Sequence, residues 1–172
     1  MPTIGVAIAI PEPWAGVLQQ HRAAFGDQAA DAIPTHITLV PPTEVTVQQS
    51  ELERHLCDVA GQHAAFWLRL RGTATFRPVS PVVFVAVTEG ISACELLSEA
   101  ARNGALRQQL EFPYHPHVTV AHHLDDAALD QAFETLRDFE AAFEVVDFHL
   151  YIHGDDGVWR RVRTFRLSAP PD

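Results

Sequence analysis

Four residues of this chain have the types and spacing to move protons on a phosphodiester: His36, Thr38, His117 and Thr119. They come from one pattern that occurs twice, His36-Ile37-Thr38-Leu39 and His117-Val118-Thr119-Val120. Each copy reads as a short strand. Side chains alternate along a strand, so the His and Thr share one face while the two aliphatics anchor the other. Two such strands brought together would hold two imidazoles and two hydroxyls in one cleft. An imidazole with an ordinary pKa near ~6.5 serves as acid or base at neutral pH. A hydroxyl can donate to a phosphoryl oxygen as charge builds there. That set needs neither a metal nor a covalent nucleophile. In a chain with ten histidines, His-x-Thr alone is expected about once by chance. With aliphatics required at both alternate positions the expectation falls to roughly a few hundredths, so two copies carry information.

The elements that must position these residues follow from the pattern on either side. Residues 3–10 read as a strand, and Pro11 and Pro13 end it and begin a helix with Trp14, Val17, Leu18, His21 and Phe25 at helical spacing. The first motif strand follows Pro34 and is expected to stop at Pro41-Pro42. A helix is expected over 48–62, an alternating strand over 66–76 and a β-branched strand over 82–88. A helix over 92–110 leads to the second motif strand, introduced by 113–116. Then come a helix over 125–141, a strand over 143–153, a turn at 153–157 and a closing strand over 159–167. The order is β-α-β-α-β twice, in repeats of approximately 1–78 and 82–153, with one strand more at about 158–168. The two motifs occupy the same slot, one in each repeat. A pseudo-two-fold between the halves would set the motif strands facing each other across a shared groove. The whole of 1–172 is expected to form a single domain of two lobes.

Composition narrows the function. The net charge is −10 and lysine is absent, which rules out a ligase built on an adenylylated lysine. The acidic balance argues against tight, non-specific binding to long nucleic acid. All twelve cations are arginines, clustered at Arg69, Arg71 and Arg77 and again at Arg160, Arg161, Arg163 and Arg166. Local positive stripes on an acidic protein suit a small phosphate-bearing ligand or an RNA end. Two cysteines, Cys57 and Cys94, make no disulfide framework, and no apolar run approaches bilayer length. The apolar start at 4–10 lacks a preceding basic region and reads as a first strand rather than a signal peptide. A cytoplasmic protein with no membrane association and no obligate protein partner is expected.

The paired His-aliphatic-Thr-aliphatic motifs, one in each half of a chain of 172 residues, resemble the 2H phosphoesterase superfamily. Within it the chain is similar to the bacterial 2'-5' RNA ligase and RNA 2',3'-cyclic phosphodiesterase group. Pro34-Thr35-His36-Ile37-Thr38-Leu39, Phe76-Arg77-Pro78 before a strand, and Pro116-His117-Val118-Thr119 carry the likeness, which spans nearly the whole chain. The resemblance implies an α+β, bilobal fold of two mainly antiparallel sheets facing a central cleft, with helices outside. It implies a metal-independent phosphodiesterase, needing no cofactor, that acts on 2',3'-cyclic phosphate RNA ends or related small cyclic phosphodiesters. Reversible 2'-5' ligation is chemically open to the same groups.

Secondary candidates follow from alternation. The cleft face should carry Arg77, with Arg69 and Arg71 further along, and His149, Tyr151 and His153 on the other lobe. Arg77 is the candidate phosphate clamp and Tyr151 the candidate base-stacking residue. Trp159 falls on the face of Phe165 and Leu167 and is assigned to the core. His115, before Pro116, is expected to shape the approach to the second motif strand. A zinc site built from His115, His117, His122 and His123 is the first rival, but that spacing matches no common ligand pattern and no cysteine is near. The second rival is a non-catalytic nucleotide or RNA-end binding module, against which two titrating groups argue, since binding alone does not require them.

Overall fold

The computed structural model describes residues 1–169. Eight strands and four helices run β1 (Thr3–Ala9), α1 (Trp14–Ala24), β2 (His36–Glu44), α2 (Gln49–Gly61), β3 (Phe66–Thr75), β4 (Val82–Glu89), α3 (Ile91–Ala101), β5 (His117–His122), α4 (Asp126–Thr135), β6 (Glu140–Val145), β7 (Asp147–His153) and β8 (Trp159–Arg166). They build two antiparallel four-stranded sheets, ordered β2-β1-β7-β8 and β5-β4-β3-β6. This is the expected α+β class with two mainly antiparallel sheets.

Local chemistry explains the elements. Helix α2 buries Leu52, Leu56, Val59 and Ala60, one stripe at helical spacing. Helix α4 starts where the Asp125 carboxylate accepts from the Ala128 N–H at 2.8 Å, with Asp126 in the first turn. Gly90 opens α3 at φ 94°, and a Cβ there would lie 2.8 Å from the Trp67 carbonyl oxygen, so the turn needs glycine. Among the described residues no helix is long and apolar enough to cross a membrane.

Four features differ from the sequence expectation. Strand β2 runs through Pro41-Pro42 to Glu44. It is an edge strand, where a missing N–H can face away from the ladder. The helix expected to reach 110 ends at Ala101 and gives way to a 3₁₀ turn at Gly104–Leu106. The helix expected to reach 141 ends at Thr135, and the strand expected over 143–153 is two strands broken at Val146.

The break at Val146 changes the topology. The element order follows the two repeats, but the sheets are not the two halves of the sequence. Strand β3, from the first half, pairs with β4 in the second sheet, and β7, from the second half, pairs with β1 in the first. Each sheet therefore reads as a motif strand, its repeat's own first strand, and a strand from the other repeat. The short connection over 76–81 makes β3 and β4 antiparallel neighbours and draws β3 across. The two motif strands are left at facing edges, and β2 lies against β5.

Candidate active site

Both motif strands alternate as their residues require. Ile37, Leu39, Val118 and Val120 are fully buried, whereas His36, Thr38, His117 and Thr119 are half-buried on the opposite face. On the first sheet Thr38 pairs with Ala7 and His36 with Ala9. On the second Thr119 pairs with Phe84 and His117 with Ala86. Alanine opposite three of the four leaves room for the imidazoles and hydroxyls to stand above the sheet floor.

The two imidazoles are held alike. His36 Nδ1 lies 2.6 Å from the Pro34 carbonyl, and His117 Nδ1 lies 2.7 Å from the His115 carbonyl. A carbonyl can only accept, so each Nδ1 carries the proton and donates it. That assignment leaves each Nε2 as the nitrogen for chemistry. The His117 ring is also packed edge-on against Phe76, at 4.9 Å between centroids, and against Phe84 at 5.2 Å. Both rings are therefore fixed in tautomer, and that of His117 in orientation as well, by groups that do not react.

The four residues line one cleft with two compartments that share Thr38. A slot of about 40 Å³ holds His36 with Gly5, Ala7, Tyr151 and Trp159. A larger cavity of about 610 Å³ holds His117 and Thr119 with Phe76, Phe112, Tyr114 and His122. The Tyr114 hydroxyl donates to the Thr38 carbonyl at 2.7 Å and ties the approach to β5 onto β2.

Electrostatics separate the histidines. Burial is the largest influence on His36 and pushes its pKa down to about 4; the Pro34 bond opposes this, and the charges of Arg22 and His117 add to it. His117 is also pushed below the ordinary imidazole value, chiefly by burial, with its His115 bond opposing. The cation behind His36 is part of a buried pair: Arg22 Nε donates to Asp27 at 2.8 Å, and Asp27 also accepts from the backbone N–H groups of Ala29 and His122.

Comparison with known proteins places this geometry. The model of the 2'-5' RNA ligase superfamily matches residues 10–157. The chain belongs to that superfamily. A Bacillus licheniformis protein named "Putative phosphoesterase" is 34% identical over 140 residues, covering 80% of this chain and 82% of the relative. Another of that name from Bacillus cereus is 32% identical over 139 residues, 79% of this chain and 80% of its own. In fold the chain is similar to TT0787 of Thermus thermophilus, at TM-score 0.66 and 20% identity, covering 98% and 99% of the two chains. It is also similar to E. coli LigT complexed with 3'-AMP, at TM-score 0.63 and 20% identity, covering 98% and 99%. The protein is thus an enzyme of the 2H phosphoesterase class, with phosphodiesterase or RNA-ligase-type activity.

Within this superfamily member, two secondary assignments from the sequence change. The Arg77 guanidinium is turned onto α4, 3.0 Å from Asp130 and 3.5 Å from Asp126, and does not line the cleft. It lies past the end of β3, beyond a bulge at Gly72 (φ 73°) that breaks the alternation used to place it. Arg69 is held in ion pairs with Glu89, directly opposite it on β4, and with Glu140 on β6. Trp159 is not a core residue: it lines the slot with His36. The register of β7 against β8 shifts between Leu150 and Tyr151, so Trp159 and Arg161 sit on the opposite face from Phe165 and Leu167. Tyr151 lies in the slot as expected, nearly fully buried. His149 is buried beside it, bonded to Thr164, and His153 packs on Trp159. His115, His117, His122 and His123 do not form a metal set: among the described residues no three His, Cys, Asp or Glu side chains converge as one. Arg22 and Arg161 had no motif to mark them; a cluster of arginines over 160–166 was the available signal for the second.

Proposed function

We propose that the protein is a metal-independent phosphodiesterase that opens 2',3'-cyclic phosphate RNA ends, or related small cyclic phosphodiesters, by two-histidine acid–base catalysis. The observation that carries this reading is the matched pair of imidazoles, each with Nδ1 tied to a backbone carbonyl and Nε2 left for chemistry in a shared cleft. His36, held neutral more strongly, is the general base. Its Nε2 takes the proton of a water as the water oxygen bonds to phosphorus. His117, protonated at both nitrogens, gives its Nε2 proton to the departing ribose oxygen as the P–O bond breaks. The product is a ribose monophosphate, and the two histidines have exchanged protonation states. The anionic substrate supports this by raising both imidazole pKa values once bound.

Thr38 and Thr119 donate their hydroxyls to the non-bridging phosphoryl oxygens, where charge develops in the transition state. Tyr151 contributes to substrate binding beside His36. A ribose hydroxyl in place of water turns the same proton transfers into ATP-free joining of RNA ends. The solved structure of E. coli LigT with 3'-AMP, a similar fold, favours a nucleotide over other phosphodiesters.

The test is hydrolysis of the four nucleoside 2',3'-cyclic phosphates in EDTA by wild type, His36→Ala and His117→Ala. Turnover that survives the chelator and falls by ~10² or more in each variant is expected. Wild type that binds these compounds without turning any over would leave the binding-module reading instead.

A further inference from the structure

On the His36 side the floor of the cleft is a row that runs across three strands: Gly5 on β1, Tyr151 on β7 and Arg161 on β8. Residues directly opposite one another in an antiparallel pair share a face. Tyr151 lines the slot, so Arg161 stands on the same face, as does Trp159 two residues earlier. Packing alone does not explain this row. The Tyr151 hydroxyl is buried and has no hydrogen-bond partner. Arg161 opposes the upward push of burial on the Tyr151 pKa, first as a hydrogen-bonding neighbour and then through its charge, although its guanidinium stands outside strict hydrogen-bonding geometry. A buried hydroxyl left without a partner is costly, so such groups are rare unless a ligand completes them.

The arginine is free where its neighbours are not. Arg160 is paired with Asp156 and Arg163 with Glu53, whereas Arg161 is exposed and makes no salt bridge among the described residues. The indole of Trp159 lies over Gly5, close enough that a Cβ there would sit 3.3 Å from the ring. Glycine therefore lets the indole settle low over the strand.

We infer that Trp159, Tyr151 and Arg161 form a subsite for the nucleotide preceding the reacting phosphate, so that the preferred substrate is an RNA end at least two nucleotides long. The inference rests on the phosphodiesterase reading above and narrows its substrate. Trp159 offers a face for a base, and stacking of this kind tolerates any base. Tyr151 forms the floor between Trp159 and Arg161, in the row with Gly5. Arg161 takes a second phosphate, to which a guanidinium is matched in charge and shape. Its place in the sheet points to a second phosphate. Strand β8 lies three spacings from β2, about 14 Å between backbones at the usual separation, and Arg161 stands in the row of Gly5 whereas His36 stands opposite Ala9, so the guanidinium is offset from His36 both across and along the sheet.

The experiment uses linear product analogues that cannot turn over: a nucleoside 3'-phosphate and a dinucleotide carrying a 3'-phosphate. Binding is read as quenching of tryptophan fluorescence. Trp14 packs against Phe143 and Trp67 is exposed outside the cleft, so the signal belongs to Trp159 and should vanish in Trp159→Phe. The dinucleotide should bind about 10-fold more tightly than the mononucleotide, the worth of one charged hydrogen bond. Arg161→Gln should erase most of that ratio. A dinucleotide no tighter than the mononucleotide, or a variant that weakens both equally, overturns the inference. Turnover of the corresponding cyclic phosphates in the same preparation separates the two claims. Preference in binding without turnover refutes the phosphodiesterase reading and leaves the subsite standing. Turnover without preference does the reverse.

Discussion

The pH dependence of kcat/KM should lie unusually far to the acid side. This parameter reports the free enzyme. There His36 is pushed down to about 4 and His117 below the ordinary ~6.5. The sign follows from which form each must have. The base must be neutral, so activity is lost as pH falls through the His36 value. The acid must be protonated, so activity is lost as pH rises through the His117 value. The optimum lies midway between the two, at or below about pH 5.3. Above the second limb the rate falls about tenfold per unit, or roughly 50- to 100-fold between pH 6.5 and 8.5. With uridine 2',3'-cyclic phosphate as substrate neither the phosphodiester nor the base changes charge across this range, so both limbs belong to the protein. The bound phosphate raises both imidazole values, so the kcat profile should be displaced upward from that of kcat/KM. The assay is steady-state hydrolysis of that uridine substrate from pH 4 to 9 in constant ionic strength. His117→Ala should lose the alkaline limb and His36→Ala the acid limb. A wild-type kcat/KM that rises monotonically from pH 5 to 9, or peaks above pH 7, refutes the assignment of the two histidines.

Two further outcomes follow from contacts. Thr38→Val and Thr119→Val keep the strand-favouring shape of the side chain and remove only the donor, so each should lower kcat by about 10² with the thermal midpoint little changed. Asp27→Asn should destabilise by about 3–5 kcal/mol in urea denaturation, because Asp27 is 5% exposed and its charge is what balances the buried Arg22.

Much of the candidate site's geometry was legible because it obeys the simplest strand rule. Two strands with fully buried aliphatics must turn His and Thr together onto the other face, and this depends only on neighbours one and two positions away. Trp159 and Arg77 were misread because alternation holds only while the ladder is regular. One register shift in β7–β8 reverses every residue on one side of it, and the shift is fixed by the partner strand rather than by β8 itself. Arg77 was misread for the added reason that two carboxylates, on a helix of the other repeat, capture it. Arg22 carried no signal because its meaning lies in being buried beside Asp27, which charge and spacing do not reveal. Pro41-Pro42 misled about β2 because a proline's cost depends on whether its strand is central or at an edge.

The exchange of strands between the halves explains how two histidines from opposite halves of the chain keep one geometry. An edge strand presents unpaired backbone groups and is ordinarily covered or blunted. Here both motif strands are edges, and each lies against the other. Were each sheet made from one half of the sequence, a single linker would join the lobes and the cleft could open as a hinge. Instead β3 and β7 each cross into the opposite sheet and sit inside it, hydrogen-bonded on both sides. Opening the cleft would strain both crossings at once, and the Tyr114 bond to Thr38 adds a third tie at the cleft. Acid–base catalysis across a phosphate needs two nitrogens held at a fixed separation, because proton transfer fails steeply with distance. The crossed topology supplies that rigidity from the backbone, so the side chains facing the cleft are free to be chosen for chemistry and for the ligand.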